Sequence, residues 1–154
     1  MHKMKHIWTV LCQNSVIDSE TNNLSINNVL EQLEITTDEK SVKSDGSINV
    51  PINYEIISMW YKEDSKSAVK AEILVEIVDS NSKVLKSFTQ KGEMPVAMNR
   101  LRTRMRVQGI ELTVSGIYSF VTKIKIEGER DFQKVAEVPL EVHLKSIKKV
   151  ASKN

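Results

Sequence analysis

The segment VKAEILVEI, residues 69–77, decides the fold class because apolar side chains occupy every second position. All the odd positions are apolar, whereas three of the four even positions carry Lys or Glu. A period of two places one set of side chains on a buried face and the other in water, as in a strand and not in a helix. The segment VPLEVHLK, residues 138–145, alternates in the same way. Both segments therefore predict strands of sheets with one buried face.

Further segments rich in β-branched and aromatic residues predict the remaining strands, and clusters of turn residues separate them. These segments are 7–17, 25–35, 50–61, 84–90, 101–112 and 116–127. Segment 25–35 also has the spacing of a helix face, but we predict a strand that pairs back on residues 7–17. Gly92 is expected beside a turn, and Gly109, in the middle of a strand, predicts a bulge or break. The fold expected is an all-β Greek-key antiparallel sandwich, immunoglobulin-like or C2-like, with seven to eight strands.

The sequence LTVSGIYSF, residues 112–120, favours a sandwich over a barrel. A tyrosine that opens a strand two residues after a turn glycine resembles the tyrosine corner of Greek-key sandwiches. We expect Tyr118 to bury its ring and to return its hydroxyl to main-chain polar groups of the turn at Gly116. An ordinary strand tyrosine is the alternative.

Three stretches carry a family resemblance: LCQ at residues 11–13, DSETNNLSI at 18–26 and GIYSF at 116–120. They resemble a family of small bacterial and phage β-sandwich proteins of unknown function. Where a glycine is expected in the first turn, this chain has Asn23, which tolerates the same left-handed backbone. The resemblance implies a β-sandwich and implies no activity.

Length and composition limit the classes of protein that this chain can belong to. A chain of 154 residues with 40% apolar and 27% charged residues fits one globular domain. We predict that domain over residues 1–146, followed by a polar, basic tail over 147–154. The formal net charge of +2 gives no strong field to attract nucleic acid or anionic lipid.

The compartment is predicted from the single cysteine and from the apolar segments. Cys12 has no second cysteine with which to form an internal disulfide. The apolar run 7–12 is shorter than the core of a signal peptide, and no segment approaches the length of a membrane span. We therefore expect a cytoplasmic protein that does not contact a membrane.

The most unusual feature is a stripe of arginines at alternate positions: Arg100, Arg102, Arg104 and Arg106. On a strand, these guanidiniums share one face about 6.6–6.8 Å apart, where neighbours in water repel by only ~0.6 kcal/mol. We expect this arginine stripe to pair with glutamates of neighbouring strands, with these candidates: Glu72, Glu76, Glu127 and Glu141. The alternatives are a contact between subunits and an anionic partner, either nucleic acid or an acidic protein surface.

Metal binding and catalysis have little support in the sequence. Residues 18–22 begin like a calcium loop, but Asn23 and Val29 stand where that loop has its glycine and its bidentate glutamate. No nucleophile elbow, phosphate-binding glycine loop or dinucleotide fingerprint occurs. Cys12 and Trp60 lie in apolar strands and are expected in the core. We therefore expect no enzymatic activity, no metal and no cofactor.

The leading hypothesis is a protein-binding or structural module whose partner is another protein or a second copy of the chain. The alternative is a protein that binds anions or nucleic acid through the arginine stripe, the only candidate binding residues that the sequence offers. A hydrolytic or carbohydrate-active sandwich is a third hypothesis. The chain has few aromatic residues, 5% in all, to stack on single-stranded nucleic acid.

Overall fold

The computed structural model describes residues 4–146, which form nine strands in two sheets. The strands are β1 (Lys5–Ile17), β2 (Leu24–Val29), β3 (Gln32–Thr37), β4 (Ile48–Tyr61), β5 (Val69–Val78), β6 (Val84–Met94), β7 (Arg100–Leu112), β8 (Gly116–Ile126) and β9 (Gln133–Ser146). The four-stranded sheet has the order β2-β1-β4-β7, and the five-stranded sheet has the order β3-β9-β8-β5-β6. The all-β prediction is confirmed, with nine strands in place of seven to eight. The predicted tail, 147–154, lies outside the described residues.

The additional strand arises because segment 25–35 divides into β2 and β3. Asn28 takes a left-handed backbone conformation with φ 54°, and the main-chain N–H of Leu30 donates to the carbonyl of Leu11 at 2.9 Å. β2 pairs with β1 as predicted, but β3 crosses to the other sheet and runs parallel to β9. The other strand pairs are antiparallel. A turn that asparagine can adopt therefore separates two strands that the sequence presents as one.

The core lies between the two sheets and contains side chains from both. Its larger cluster includes Tyr54 of β4 and Tyr118 of β8, and its smaller cluster includes Trp60 of β4 and Ile73 of β5. Trp60 is fully buried, as predicted, and its indole N–H donates to Oγ1 of Thr103 at 2.9 Å. Full burial of a side chain such as Ile73 contributes about 1.5–3 kcal/mol.

Tyr118 forms the corner that its sequence context predicts. Its side chain is fully buried, and its hydroxyl donates to the carbonyl of Val114 at 2.6 Å. The same oxygen accepts from the main-chain N–H groups of Thr113 and Val114 at 3.1 and 3.2 Å. Gly116 has φ 144° and lies so close to Ser80 that an added Cβ would be 2.7 Å from the serine Cβ. Only glycine fits this turn.

The other two glycines singled out in the sequence have different outcomes. Gly109 has φ 79° and lies opposite a register shift of β4 between Val50 and Asn53, so the predicted bulge is confirmed. Gly92 is not beside a turn, because β6 continues through it to Met94. A Cβ on Gly92 would lie 3.4 Å from a side-chain carbon of Leu101, an ordinary van der Waals contact, so packing does not require glycine here.

Helix is almost absent from the described residues. Between residues 4 and 146 the single helical element is a 3₁₀ turn, Glu39–Ser41. The carboxylate of Asp38 caps it by accepting from the main-chain N–H of Ser41 at 3.1 Å. No helix in this part of the chain has the length and apolar character needed to span a membrane.

Candidate functional site: the arginine strand

β7 carries the arginine stripe and is the outermost strand of the four-stranded sheet. Its odd-numbered residues face the other sheet: Thr103 contacts Trp60, and Met105 and Val107 belong to the core. Because neighbouring residues of a strand point to opposite faces, the arginines share the outer face of the sheet. Within the described residues, β7 has a hydrogen-bonded neighbour on one side, β4.

Arg106 pairs with a carboxylate that no sequence pattern indicated. Its Nε donates to Oε1 of Glu55 on β4 at 3.0 Å. The Glu55 side chain is only 7% exposed, whereas that of Arg106 is 67% exposed. The second carboxylate oxygen of Glu55 accepts from Oγ of Ser15 at 2.5 Å. A buried carboxylate needs such partners to offset the loss of hydration, so Arg106 and Ser15 stabilise Glu55.

The hairpin formed by β1 and β2 covers the middle of the arginine stripe. β1 pairs with β4 as far as Cys12, and beyond it pairs with β2 alone. Nη1 of Arg104 donates to Oγ of Ser15 at 3.2 Å. Nη2 of Arg102 donates to the main-chain carbonyl and the side-chain oxygen of Asn22, at 2.8 and 3.1 Å. Residues 13–29, the covering hairpin, therefore return across the outer face of their own sheet.

Burial under the covering hairpin changes the character of this outer face. Ile57 lies on this face opposite a residue of β7, and Cys12 lies on it opposite Glu55. Both side chains are fully buried. Burial raises the pKa of the Cys12 thiol, the negative charge of Glu55 raises it further, and Arg104 acts in the opposite direction. The prediction that Cys12 is buried is confirmed, and its thiol is held in the protonated form.

The turn of the covering hairpin uses Asp18 as a local hydrogen-bond acceptor. Its Oδ1 accepts from the main-chain N–H groups of Glu20 and Thr21 at 2.8 and 2.7 Å, which lowers the pKa of the carboxyl. The left-handed residue is Asn22, with φ 60°, and not Asn23 as expected. Among residues 4–146, no three metal-ligating side chains come together.

The four glutamates named as candidates for pairing with the arginine stripe lie elsewhere, so that choice of residues is wrong, although Arg106 does pair with a glutamate of a neighbouring strand. Glu72 and Glu76 of β5 pair with Lys125 and Lys123 of β8. Glu141 pairs with His143 of its own strand, β9, and Glu127 follows β8. Three of the four lie in the five-stranded sheet and Glu127 follows one of its strands, whereas β7 lies in the other sheet. The neighbour of β7 is β4, and Glu55 is its carboxylate on the outer face.

Arg100 differs from the other three arginines. Its side chain makes no hydrogen bond or ion pair with any residue between 4 and 146. It lies opposite Tyr61 in the ladder of β4 and β7 and borders a shallow depression of about 730 Å³. The apolar part of its lining includes Ile17, Tyr61 and Met98, whose exposed fractions are 40%, 39% and 41%. We call this the Tyr61–Arg100 depression.

Lys62 is a buried charge beside this depression that the sequence did not indicate. Only 1% of it is exposed, and its Nζ donates to the carbonyls of Ser67 and Pro95 at 2.6 and 2.8 Å. A longer contact, 3.4 Å, reaches the carbonyl of Met94. The main-chain N–H of Lys62 donates to the carbonyl of Asn99 at 2.8 Å, and the side-chain amide of Asn99 donates to the carbonyl of Lys62 at 3.0 Å. Lys62 thus joins the β4–β5 and β6–β7 connections.

A second depression, of about 610 Å³, lies on the outer face of the five-stranded sheet. Charged residues of both signs line it, among them Lys70, Glu72, Lys91, Glu93 and Lys125. Glu72 lies opposite Lys91 on β6 and Lys125 on β8, so opposite charges are cross-strand neighbours. Glu72 and Lys125 form an ion pair at 3.7 Å, and the alternation of opposite charges is that of an ordinary solvated sheet face.

Comparisons with known proteins do not identify a family for this chain. No protein-family profile matches the chain, and no curated protein matches it significantly. The chain is similar to the X-ray structure of Northeast Structural Genomics Consortium target SoR45, with 15% identity over 66% of this chain and 78% of that one, and a TM-score of 0.37. It is also similar to the structure of the N-terminal domain of PorA, with 12% identity over 90% of this chain and 98% of that one, and a TM-score of 0.26. Likenesses this weak carry no inference, and the resemblance drawn from residues 11–13, 18–26 and 116–120 stays a prediction.

Proposed function

We propose that this chain is a non-enzymatic protein-binding module on a Greek-key sandwich of immunoglobulin-like or C2-like type. In immunoglobulin sandwiches, strands B and E share one sheet, and strands C, F and G share the other. The pair β4 and β7, against the set β5, β8 and β9, fits that division. Tyr118 at the start of β8 fits the tyrosine corner that opens strand F.

The observation that carries the binding proposal is the open edge of β7. Among the described residues no strand pairs with its outer side, and an unpaired edge offers main-chain groups to an added strand. One end of this edge is Arg100, which lies beside exposed Tyr61 and Met98. Arg, Tyr and Met are enriched in protein interfaces. An edge with such side chains at its end favours a protein partner.

A second copy of β7 is a poor partner for this edge. In an antiparallel pair that continues both faces of the sheet, residues on the outer face of one strand lie opposite outer-face residues of the other. Two copies of β7 would therefore place Arg opposite Arg, and like charges directly opposite each other destabilise a strand pair. We propose a different protein as the partner and a monomer for the free chain.

The alternative function is binding of an anion or nucleic acid along the whole arginine stripe. It requires Arg102, Arg104 and Arg106 to leave the partners described above. If all four arginines bound nucleic acid, the logarithm of the binding constant would fall with the logarithm of the salt concentration with a slope of about −3.6. Contact with Arg100 alone would give a slope of about −0.9. The salt dependence of binding to a DNA duplex therefore distinguishes the alternative from the main proposal.

Site-specific photo-crosslinking tests the main proposal. A photoreactive residue replaces Gln108, which is exposed on β7, and in a matched control it replaces Lys70, which is exposed on β5, a strand paired on both sides. In native lysate we expect a discrete crosslinked protein from position 108 and none from position 70, and the free chain should be monomeric by light scattering. Identical products at both positions, or none at 108, would contradict binding at the β7 edge.

A further inference from the structure

We propose that the Tyr61–Arg100 depression binds a segment of a partner protein in which acidic and apolar side chains alternate. This inference rests on the proposed protein-binding function and specifies the chemistry of the partner. The depression lies where the end of β4, the start of β7 and the β6–β7 connection meet. Its apolar floor and its arginine rim are the two features that a partner must match.

The loop that forms one wall of the depression is fixed before any partner arrives. Ala97 has φ 72°, a left-handed conformation that costs a residue with a side chain roughly 1–2 kcal/mol. The main-chain N–H of Ala97 donates to the carbonyl of Ser65 at 2.8 Å, and that of Met98 donates to the carbonyl of Pro95 at 3.1 Å. Because buried Lys62 also holds the carbonyl of Pro95, Met98 is presented to solvent from a rigid loop. Such preorganisation lowers the entropy lost on binding.

Charge determines the polar half of the partner. Among residues 4–146, no Asp or Glu lines the depression. Arg102 donates to uncharged oxygens of Asn22, and Arg100 has no partner among the described residues. Glu63, two residues beyond Tyr61, is already paired with Lys5. Two guanidiniums without a counter-charge favour a carboxylate, which Arg binds with planar, bidentate geometry.

The apolar half of the depression favours a protein segment over a nucleic acid. Single-stranded nucleic acids stack on successive aromatic side chains, and Tyr61 is the one aromatic residue that the described part of the chain places in this lining. Ile17 and Met98 instead offer aliphatic surface, which an apolar side chain of a peptide can cover. Methionine adapts its shape to different apolar side chains, as is common at protein-binding surfaces.

A second copy of the chain does not supply the required charge. A symmetric dimer through this depression would bring the same arginines of both copies together. Because no Asp or Glu of the described residues lines the depression, such a dimer would bring its two arginine rims together without a carboxylate between them. The occupant is therefore a different chain.

Titration with defined probes tests this inference on the whole 154-residue chain. The probes are short fluorescent peptides of equal length in which Glu alternates with Leu, Glu with Ser, or Lys with Leu, together with oligothymidine. We expect the Glu/Leu peptide to bind with a Kd on the order of 10–100 µM, as for a small interface. Arg100→Gln and Met98→Ala should each weaken it at least about fivefold. Arg130→Gln, the same change at another exposed arginine, should not.

The remaining results separate this inference from its competitors. Weaker binding of the Glu/Ser peptide and none of the Lys/Leu peptide support it, as do chemical-shift changes at Tyr61 and Met98. It is overturned if the Glu/Leu peptide fails to bind, if Arg130→Gln weakens it equally, if oligothymidine binds more tightly, or if Arg100-dependent self-association occurs. If the protein crosslinked from position 108 is retained by the Arg100→Gln variant, the proposed function stands and this inference fails.

Discussion

The guanidinium of Arg102 donates to the main-chain carbonyl of Asn22, 80 positions earlier in the chain, at 2.8 Å. Together with the bond from Arg104 to Ser15, it attaches the covering hairpin to the edge strand β7. Much of the arginine stripe therefore has an internal structural role. Its exposed end, at Arg100, is the part that remains available to a partner.

The attachment of the covering hairpin can be measured at Cys12, the single cysteine of the chain. Arg102→Gln combined with Arg104→Gln removes charged hydrogen bonds and should lower the free energy of hairpin opening by about 1–2 kcal/mol. We expect a disulfide reagent to label Cys12 about tenfold faster, because labelling requires opening of the buried thiol. Arg130→Gln is the control. An unchanged labelling rate would show that these arginines do not hold the hairpin.

Tyr118→Phe should destabilise the protein, because it removes the hydroxyl that donates to Val114 and leaves the N–H groups of Thr113 and Val114 without their acceptor. Leaving buried polar groups unsatisfied costs about 1–3 kcal/mol. Urea unfolding should show a lower midpoint with an unchanged m-value. Tyr61→Phe, the same change at an exposed position, should alter the free energy of unfolding by less than about 0.5 kcal/mol. If both changes lowered the free energy of unfolding equally, the hydrogen bonds of the Tyr118 hydroxyl would not stabilise the turn.

Tyr54→Phe should have the opposite effect. Its buried hydroxyl has no hydrogen-bond partner among the described residues, so its removal should leave the free energy of unfolding unchanged or raise it by up to about 1 kcal/mol. Burial raises the pKa of Tyr54 above its ordinary value of 10.0. A loss of more than 1 kcal/mol on this substitution, measured by urea unfolding at about pH 8, would show that the hydroxyl has a partner.

Tyr54→Phe should also change how the free energy of unfolding depends on pH in the alkaline range. As the pH rises above 10, the unfolded chain releases the Tyr54 proton while the folded chain retains it. The unfolded state then binds fewer protons, so the free energy of unfolding falls with rising pH. Tyr54→Phe should reduce this fall, as measured by urea unfolding at about pH 9 and about pH 11. Identical slopes for both proteins would contradict the raised pKa.

Lys62→Met should be among the most destabilising changes in the chain. It retains the length of the side chain but removes the donor to the carbonyl of Ser67 and one of the two donors to the carbonyl of Pro95. The expected loss is about 2–4 kcal/mol in the free energy of unfolding. Lys66→Met, at an exposed position of the same connection, should cost less than about 0.5 kcal/mol. Thermal unfolding of the two variants gives the comparison, and a similar melting temperature would contradict the role of Lys62.

Local sequence patterns predicted most of the strands because one-sided burial leaves a period of two. Residues 69–77 and 138–145 alternate visibly and form nearly all of β5 and more than half of β9. The division of residues 25–35 was not predictable, since it depends on the left-handed turn at Asn28 and on the parallel pairing of β3 with β9. That pairing joins positions more than one hundred residues apart, such as Leu33 and Val142.

The site was predictable only in part, because its contacts also join segments that are distant in the sequence. Alternation placed the four arginines on one face of a strand, but it could not identify their partners. Glu55 is one acid among many in the sequence, and it becomes a partner because β4 is the neighbour of β7. The folding of the hairpin over its own sheet and the burial of Lys62 likewise depend on contacts between distant segments.

Reversing the charge at position 100 and, in parallel, the charge of the peptide tests the proposed binding most directly. Arg100→Glu should weaken the Glu/Leu peptide and create binding of the Lys/Leu peptide, because the same carboxylate–cation contact forms with its charges exchanged. Fluorescence anisotropy should give the exchanged pair a Kd within about threefold of the original pair, since the apolar contacts are retained. If Arg100→Glu and the unmodified chain bind both peptides equally, Arg100 does not contact the partner, and the proposed site is wrong.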